Sequence, residues 1–152
     1  MKHIGVVQDV DPRKCIRTSY QRLPTKQTVQ SLVKSFSEYG YQPETDGSQR
    51  ISARRPRLGE LRDALVRGDG LSEAAAMQLA QEKNKDAEKD GYYVVVDGWM
   101  RVEAARILSG PDKVFLLEVD LLAAGESEGE EIGYAHRRNV LGAIRAGASQ
   151  RH

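Results

Sequence analysis

Between Thr25 and Gly40 the apolar residues Val29, Leu32, Val33, Phe36 and Tyr39 recur at helical spacing. Thr25 stands at the N-cap position and Gly40 where a C-terminal glycine belongs, so the stretch predicts an amphipathic helix. Upstream, Gly5 to Val10 is apolar and β-branched enough for a short strand closed by the turn signal Asp11-Pro12, and a loop through Cys15 to Pro24 is expected to follow. Tyr41 to Arg57 shows no sustained period and reads as mostly loop, with a short strand around Ile51. Leu58, Leu61 and Leu65 share one helical face that ends at Gly68 to Gly70, and Ser72 then caps an alanine-rich helix running polar through Glu82 to Lys89.

The pattern changes at Tyr92-Tyr93-Val94-Val95-Val96, a run of strong strand formers too short for a helix. It stops at Asp97-Gly98. Trp99 to Leu108 resumes helical spacing through Val102, Ala105 and Leu108, and Val114 to Leu121 reads as another buried strand. A strand, glycine turn, helix and strand in succession ordinarily place the two strands parallel in one sheet. Ile132, Ala135, Val140 and Ile144 predict a last helix, interrupted by glycines. The expected fold class is α/β in the broad α+β sense: a small mixed sheet with packed helices.

Composition bounds this reading. With 152 residues, 39% of them hydrophobic and 30% charged, the chain suits a single core. It contains no apolar run of spanning length and no secretory signal at its start, so a soluble cytoplasmic protein, or a nuclear one in a eukaryote, is expected. Cys15 is the one cysteine, which excludes an internal disulfide and a cysteine-built metal site. His136 and His152 lack a second ligand at metal-binding spacing.

The formal net charge of +1 hides segregation along the chain. Arg13, Lys14, Arg17, Arg22, Lys26 and Lys34 follow one another without an acid between them. Arg50 to Arg67 carries six arginines against Glu60 and Asp63, while Glu118, Asp120, Glu126, Glu128, Glu130 and Glu131 form an acidic stretch without a base. Local field rather than total charge is the informative quantity. The cluster Arg50, Arg54, Arg55 and Arg57 has the charge to follow a nucleic-acid backbone, although no aromatic residues are interleaved with it.

The sharpest local feature is the turn Asp97-Gly98 leading into Trp99-Met100-Arg101. A helix that starts directly after a strand presents unpaired backbone N–H groups, to which an anion can bind. Gly98 would admit a phosphate close to the backbone, and Arg101 in the first turn would add a charged fork. Asp97 fits either a helix cap or a general base, and Trp99 fits either packing or stacking on a base.

The run VVVDGWMRVEAARIL resembles the strand, GxxR motif and alanine-rich helix of the ParB/sulfiredoxin-like domain, and IRTSYQRLPTKQTVQSLVKSFSEYGY resembles that family's basic loop and first long helix. The resemblance covers about Val6 to Asp120. It implies a family domain over 1–124 with a helical insertion at about 50–90, followed by an acidic linker and C-terminal helix over 125–152. It further implies that nucleotide phosphates lie against Gly98 and Arg101 and the backbone of Trp99 and Met100. An upstream arginine, either Arg17 or Arg22, also contacts phosphate, and Ser31 and Ser35 match helix hydroxyls that face the nucleotide in sulfiredoxins. Asn139 is what remains of the later Glu-Asn motif of ParB proteins, which helps to hold a metal and CTP.

Sulfiredoxins carry Cys-His between the glycine and the arginine, where this chain has Trp99-Met100. Neither can serve as the nucleophile, so sulfinic acid reductase activity is disfavoured. No helix-turn-helix can be read in the chain. The expected function is binding of a nucleoside triphosphate such as ATP or CTP with Mg2+, with slow hydrolysis or DNA contact through the basic loops as extensions. The alternative is a protein-interaction domain that has kept the fold and lost the chemistry. A nuclease is less well supported, because no carboxylate cluster suits two metals.

Overall fold

The computed structural model describes residues 1–21, 23–43, 50–85, 91–125 and 127–138. The strands are His3–Val10 (β1), Cys15–Arg17 (β2), Ile51–Arg54 (β3), Tyr93–Asp97 (β4) and Leu117–Leu122 (β5). The helices are Lys26–Tyr39 (α1), Leu58–Asp69 (α2), Glu73–Lys85 (α3), Trp99–Leu108 (α4) and residues 128–138 (α5), with one 3-10 turn at Pro12–Lys14. Among the described residues no helix is long and apolar enough to cross a membrane.

The five strands form one mixed sheet in the order β1-β5-β3-β4-β2, so the fold is mixed α and β as the pattern predicts. β3 pairs parallel with β5 and antiparallel with β4. The strands joined through α4 are therefore antiparallel and separated by β3, which corrects the expectation of a parallel crossover pair. β2 is a second correction: Cys15 to Arg17, expected as loop, adds a three-residue edge strand parallel to β4. β3 opens the stretch read as an insertion, yet it is the central strand and all four of its residues are buried. Only α2 and α3 stand apart, sharing a small core of Leu61, Leu65, Ala76 and Ala80.

Alternation along β3 assigns the two faces of the sheet. Ile51 and Ala53 join Val95, Val119, Trp99, Val102 and Ala105 in the main apolar core. On that side α1 packs against α4, and the Phe36, Tyr41 and Phe115 rings meet at centroid distances of 5.4 to 6.4 Å. The caps match the sequence: the Thr25 hydroxyl accepts from the Thr28 amide, and Gly40 ends α1 at φ 76°. The Ser72 hydroxyl accepts from the Ala75 amide at 3.2 Å.

Ser52 and Arg54 face the other way and meet α5 through polar groups. Arg54 Nε donates to Glu131, and each of these side chains is only 2% exposed. The same guanidinium donates to Glu60 of α2 at 2.8 and 2.9 Å. Tyr20 gives its hydroxyl hydrogen to Glu131 at 3.0 Å, Ser52 Oγ lies 3.3 Å from the Tyr134 hydroxyl, and Arg138 donates to Asp97 and to the Arg50 carbonyl. Glu131, read as part of an acidic linker, is thus a buried structural group on a packed helix.

Breaking such a pair from one side leaves a buried charge uncompensated and costs about 3–5 kcal/mol, whereas replacing both partners with apolar residues is often close to neutral. Arg54→Met is expected to destabilise the protein by an amount in that range in urea denaturation. The double variant Arg54→Met/Glu131→Met should recover a large part of the loss, and equal stabilities of single and double variants would contradict this account.

Candidate functional site

The turn after β4 is built as the sequence requires. Gly98 has φ 101°, and a Cβ placed on it would lie 3.1 Å from Ile51 Cγ1 and 3.3 Å from Ile51 Cα. A side chain is therefore excluded both by the backbone conformation and by the central strand. The Arg101 and Val102 amides both donate to the Gly98 carbonyl, at 3.1 and 3.4 Å. The preceding amides, of Trp99 and Met100, are the N-terminal donors of α4.

This helix start opens into a cavity of about 450 Å3. Asp97 to Arg101 form one wall, Tyr20 and Gln21 a second, Thr28 and Leu32 of α1 a third, and Ile132, Ala135 and His136 of α5 the fourth. Gln21 closes the loop onto the end of β4 by donating its side-chain amide to the Val95 and Val96 carbonyls. Burial, aided by the nearby Glu131 charge, pushes the Tyr20 phenol up to about 12 and keeps it a hydrogen-bond donor. Arg138 holds the Asp97 carboxylate at 3.3 Å, supplying a positive charge next to the acid in the cavity wall.

Of the residues singled out in the sequence, Gly98, Trp99, Met100 and Arg101 come together at this cavity. Trp99 is buried and its ring lies beneath the Arg106 guanidinium at 4.8 Å, so its indole is committed largely to packing. Ser31 and Ser35 do not line the cavity; Ser31 is exposed and donates to the Gln27 carbonyl at 3.0 Å. The α1 face turned inward carries Thr28 and Leu32 instead. Arg17 does not line it either: its Nη2 donates to the Gln21 carbonyl at 3.1 Å, and its side chain borders the neighbouring cavities. Arg22 and Asn139, like Val140 and Ile144, lie outside the described residues.

The basic cluster in and around β3 is largely engaged within the fold, with Arg57 its most exposed member. Arg54 is buried in its pairs with Glu60 and Glu131, and Arg50 pairs with Asp120 at 3.0 Å. Arg55 lies 4.8 Å over the Tyr93 ring, and Arg57 caps α2 and donates to the Gly125 carbonyl at 3.4 Å. The residues of the cavity that sequence reasoning missed are Tyr20, Gln21, Thr28, Leu32, Ile132, Ala135 and His136. Among the described residues no cluster of three or more metal-ligating side chains occurs. Compared with known proteins, the chain matches no family model, no curated protein and no solved structure.

Cys15 stands apart from this turn. It is buried in the main core, and burial pushes its thiol up to about 12, with the Arg106 charge as a smaller opposing influence. An inert packing role follows.

Gly98→Ala is expected to cost about 1–3 kcal/mol, the usual penalty for forcing a side chain into such a backbone region. Gly68→Ala, at a helical position with open space around its Cα, should instead stabilise by about 0.5–1 kcal/mol. Urea titrations of the two variants check this contrast. The Cys15 proton is retained in the folded state, while an unfolded cysteine loses it near its ordinary value of 9.0. The resulting stabilisation is complete below that pH and is lost as pH rises toward about 12. Cys15→Ala should therefore flatten the fall in unfolding free energy above pH 9, whereas an unchanged alkaline slope would count against a protonated buried thiol.

Proposed function

We propose that the chain is a nucleotide-binding domain that takes a nucleoside triphosphate with Mg2+ at the cavity in front of α4. The observation that carries this reading is the coincidence of three features at one place: a glycine-only turn, the N-terminal donors of a ten-residue helix, and Arg101 in the wall of the cavity. Phosphate oxygens suit such donors because the amide dipoles and the guanidinium supply positive potential without reorganisation. The roughly 450 Å3 volume lies within the range of small-molecule sites. Leu32, Ile132 and Ala135 offer an apolar side for the nucleoside. The likeness of the GxxR run to that of ParB/sulfiredoxin-like domains is in keeping with this placement. Thr28 rather than Ser31 or Ser35 supplies the hydroxyl on α1.

In this reading Asp97 is held by Arg138 beside the phosphates, and Arg101 is the principal charged contact. Coupling to DNA draws no support from Arg50, Arg54 and Arg55, whose side chains are engaged within the fold, and Arg57 is the exposed member of the cluster.

Titration calorimetry with ATP, CTP, GTP and ADP, each with Mg2+, tests the proposal. Binding by at least one nucleotide is expected, and Arg101→Ala should weaken it by roughly tenfold or more, since a hydrogen bond to a charged group contributes about 1.5–3 kcal/mol. Absence of heat from all four nucleotides at millimolar concentration would remove the reading.

A further inference from the structure

A second cavity, of about 610 Å3, lies between the Pro12–Arg17 segment and the C-terminal part of α2. Arg13, Lys14, Arg17, Arg67 and Arg106 line it, with Asp69 as the one carboxylate in its wall among the described residues. Asp11 holds Arg13 at 2.8 Å and Glu103 lies 3.5 Å from Arg106, so these two guanidinium groups already have carboxylate partners.

The cations do not have equal duties. Arg106 is a structural brace: it donates to the Pro12 and Cys15 carbonyls at 3.0 and 2.8 Å and covers the Trp99 ring. Arg13 is held by Asp11 through three contacts between 2.8 and 3.3 Å. Arg17 and Arg67 meet only backbone carbonyls among the described residues, those of Gln21 at 3.1 Å and Asp63 at 3.3 Å. Arg17 Nε is also buried without an acceptor. Two guanidinium groups from different elements, one on β2 and one on α2, thus border the same cavity, and among the described residues neither is hydrogen-bonded to a carboxylate.

We propose that this cavity binds a phosphate-bearing small molecule between Arg17 and Arg67. Planar guanidinium forks match phosphate oxygens in geometry and charge, and the low-dielectric walls formed by Ile16, Ala64, Tyr92 and Trp99 strengthen the attraction. The volume suits a small organic phosphate rather than a polymer. Because Arg67 comes from α2, the ligand also ties the α2–α3 hairpin to the edge of the sheet. The site shares only Trp99 with the cavity in front of α4 and stands independently of the nucleotide reading.

Calorimetric titration with inorganic pyrophosphate in the absence of Mg2+ tests this. The unsubstituted protein should bind it at submillimolar concentration. Arg67→Glu, a change at an exposed position of α2, should weaken binding at least tenfold while leaving the melting temperature close to that of the parent. Arg62→Glu, the same charge change on α2 but outside this cavity, should leave pyrophosphate affinity within about twofold. No binding to the parent protein would overturn the proposal. Loss of binding in Arg101→Ala with retention in Arg67→Glu would also overturn it, and would place the anion in front of α4 instead. Failure of the nucleotide titrations alone leaves the pyrophosphate result intact, so the two readings fail separately.

Discussion

Arg54 and Glu131 meet in the interior with almost no exposure, and the positions of three other segments follow from that contact. Arg54 reaches Glu60 and so fixes the start of α2; Glu131 accepts from Tyr20 and so fixes the loop before α1; and Glu131 itself sits on α5. Two buried charges recover from each other's field little more than they lose in hydration, so the pair contributes position more than net stability. Position matters for α5, whose residue Ile132 remains 43% exposed and whose seam with β3 runs through Glu131, Tyr134 and Arg138. With few apolar anchors, a helix of this kind is free to slide or rotate unless polar partners fix its register. Ile132, Ala135 and His136 then form one wall of the cavity in front of α4, opposite Thr28 and Leu32.

The placement of β3 between β4 and β5 gives the candidate site its second constraint. Its register sets Ser52 beside Asp97 on one neighbour and beside Asp120 on the other. A row of two carboxylates at the end of a sheet would ordinarily repel an anion. Here each acid is answered by an arginine, Asp97 by Arg138 and Asp120 by Arg50, while Ser52 meets the Tyr134 hydroxyl. The helix start at Gly98 can therefore present its donors without an uncompensated carboxylate next to them. The same strand sets the glycine requirement, since it is Ile51 of β3 that a Cβ at position 98 would strike.

Local chemistry made the helices and most strands legible. The caps Thr25, Gly40 and Ser72 and the run ending at Asp97-Gly98 each carry their signal within a few residues. Partner choice carries no such signal. Nothing in Cys15-Ile16-Arg17 distinguishes a three-residue strand from a loop until β4 lies alongside to accept it. Nothing between Tyr93 and Leu122 announces that a strand from much earlier in the chain separates the two it joins. The candidate site was legible to the same extent: Gly98 to Arg101 are local, whereas Tyr20, Gln21 and α5 reach the cavity through contacts between distant segments. Ser31 and Ser35 lie on the same helix as Thr28 and Leu32 but do not line the cavity, because a position on a helix does not by itself give the face.

Charge shows most plainly how far sequence runs differ from surfaces. The acid-free stretch from Arg13 to Lys34 and the arginine-rich stretch from Arg50 to Arg67 are similar on paper. Folding treats them differently, because β3 is central and β2 is an edge strand. Among the β3 arginines, Arg54 is drawn inside and must find carboxylates, which it does in Glu60 and Glu131. On the edge, Arg17 remains half-buried beside a cavity that α2 closes, and among the described residues its guanidinium donates only to the Gln21 carbonyl. A net charge of +1 is thus compatible with a cavity bordered by Arg13, Lys14, Arg17, Arg67 and Arg106, because potential is set by local placement rather than by the total.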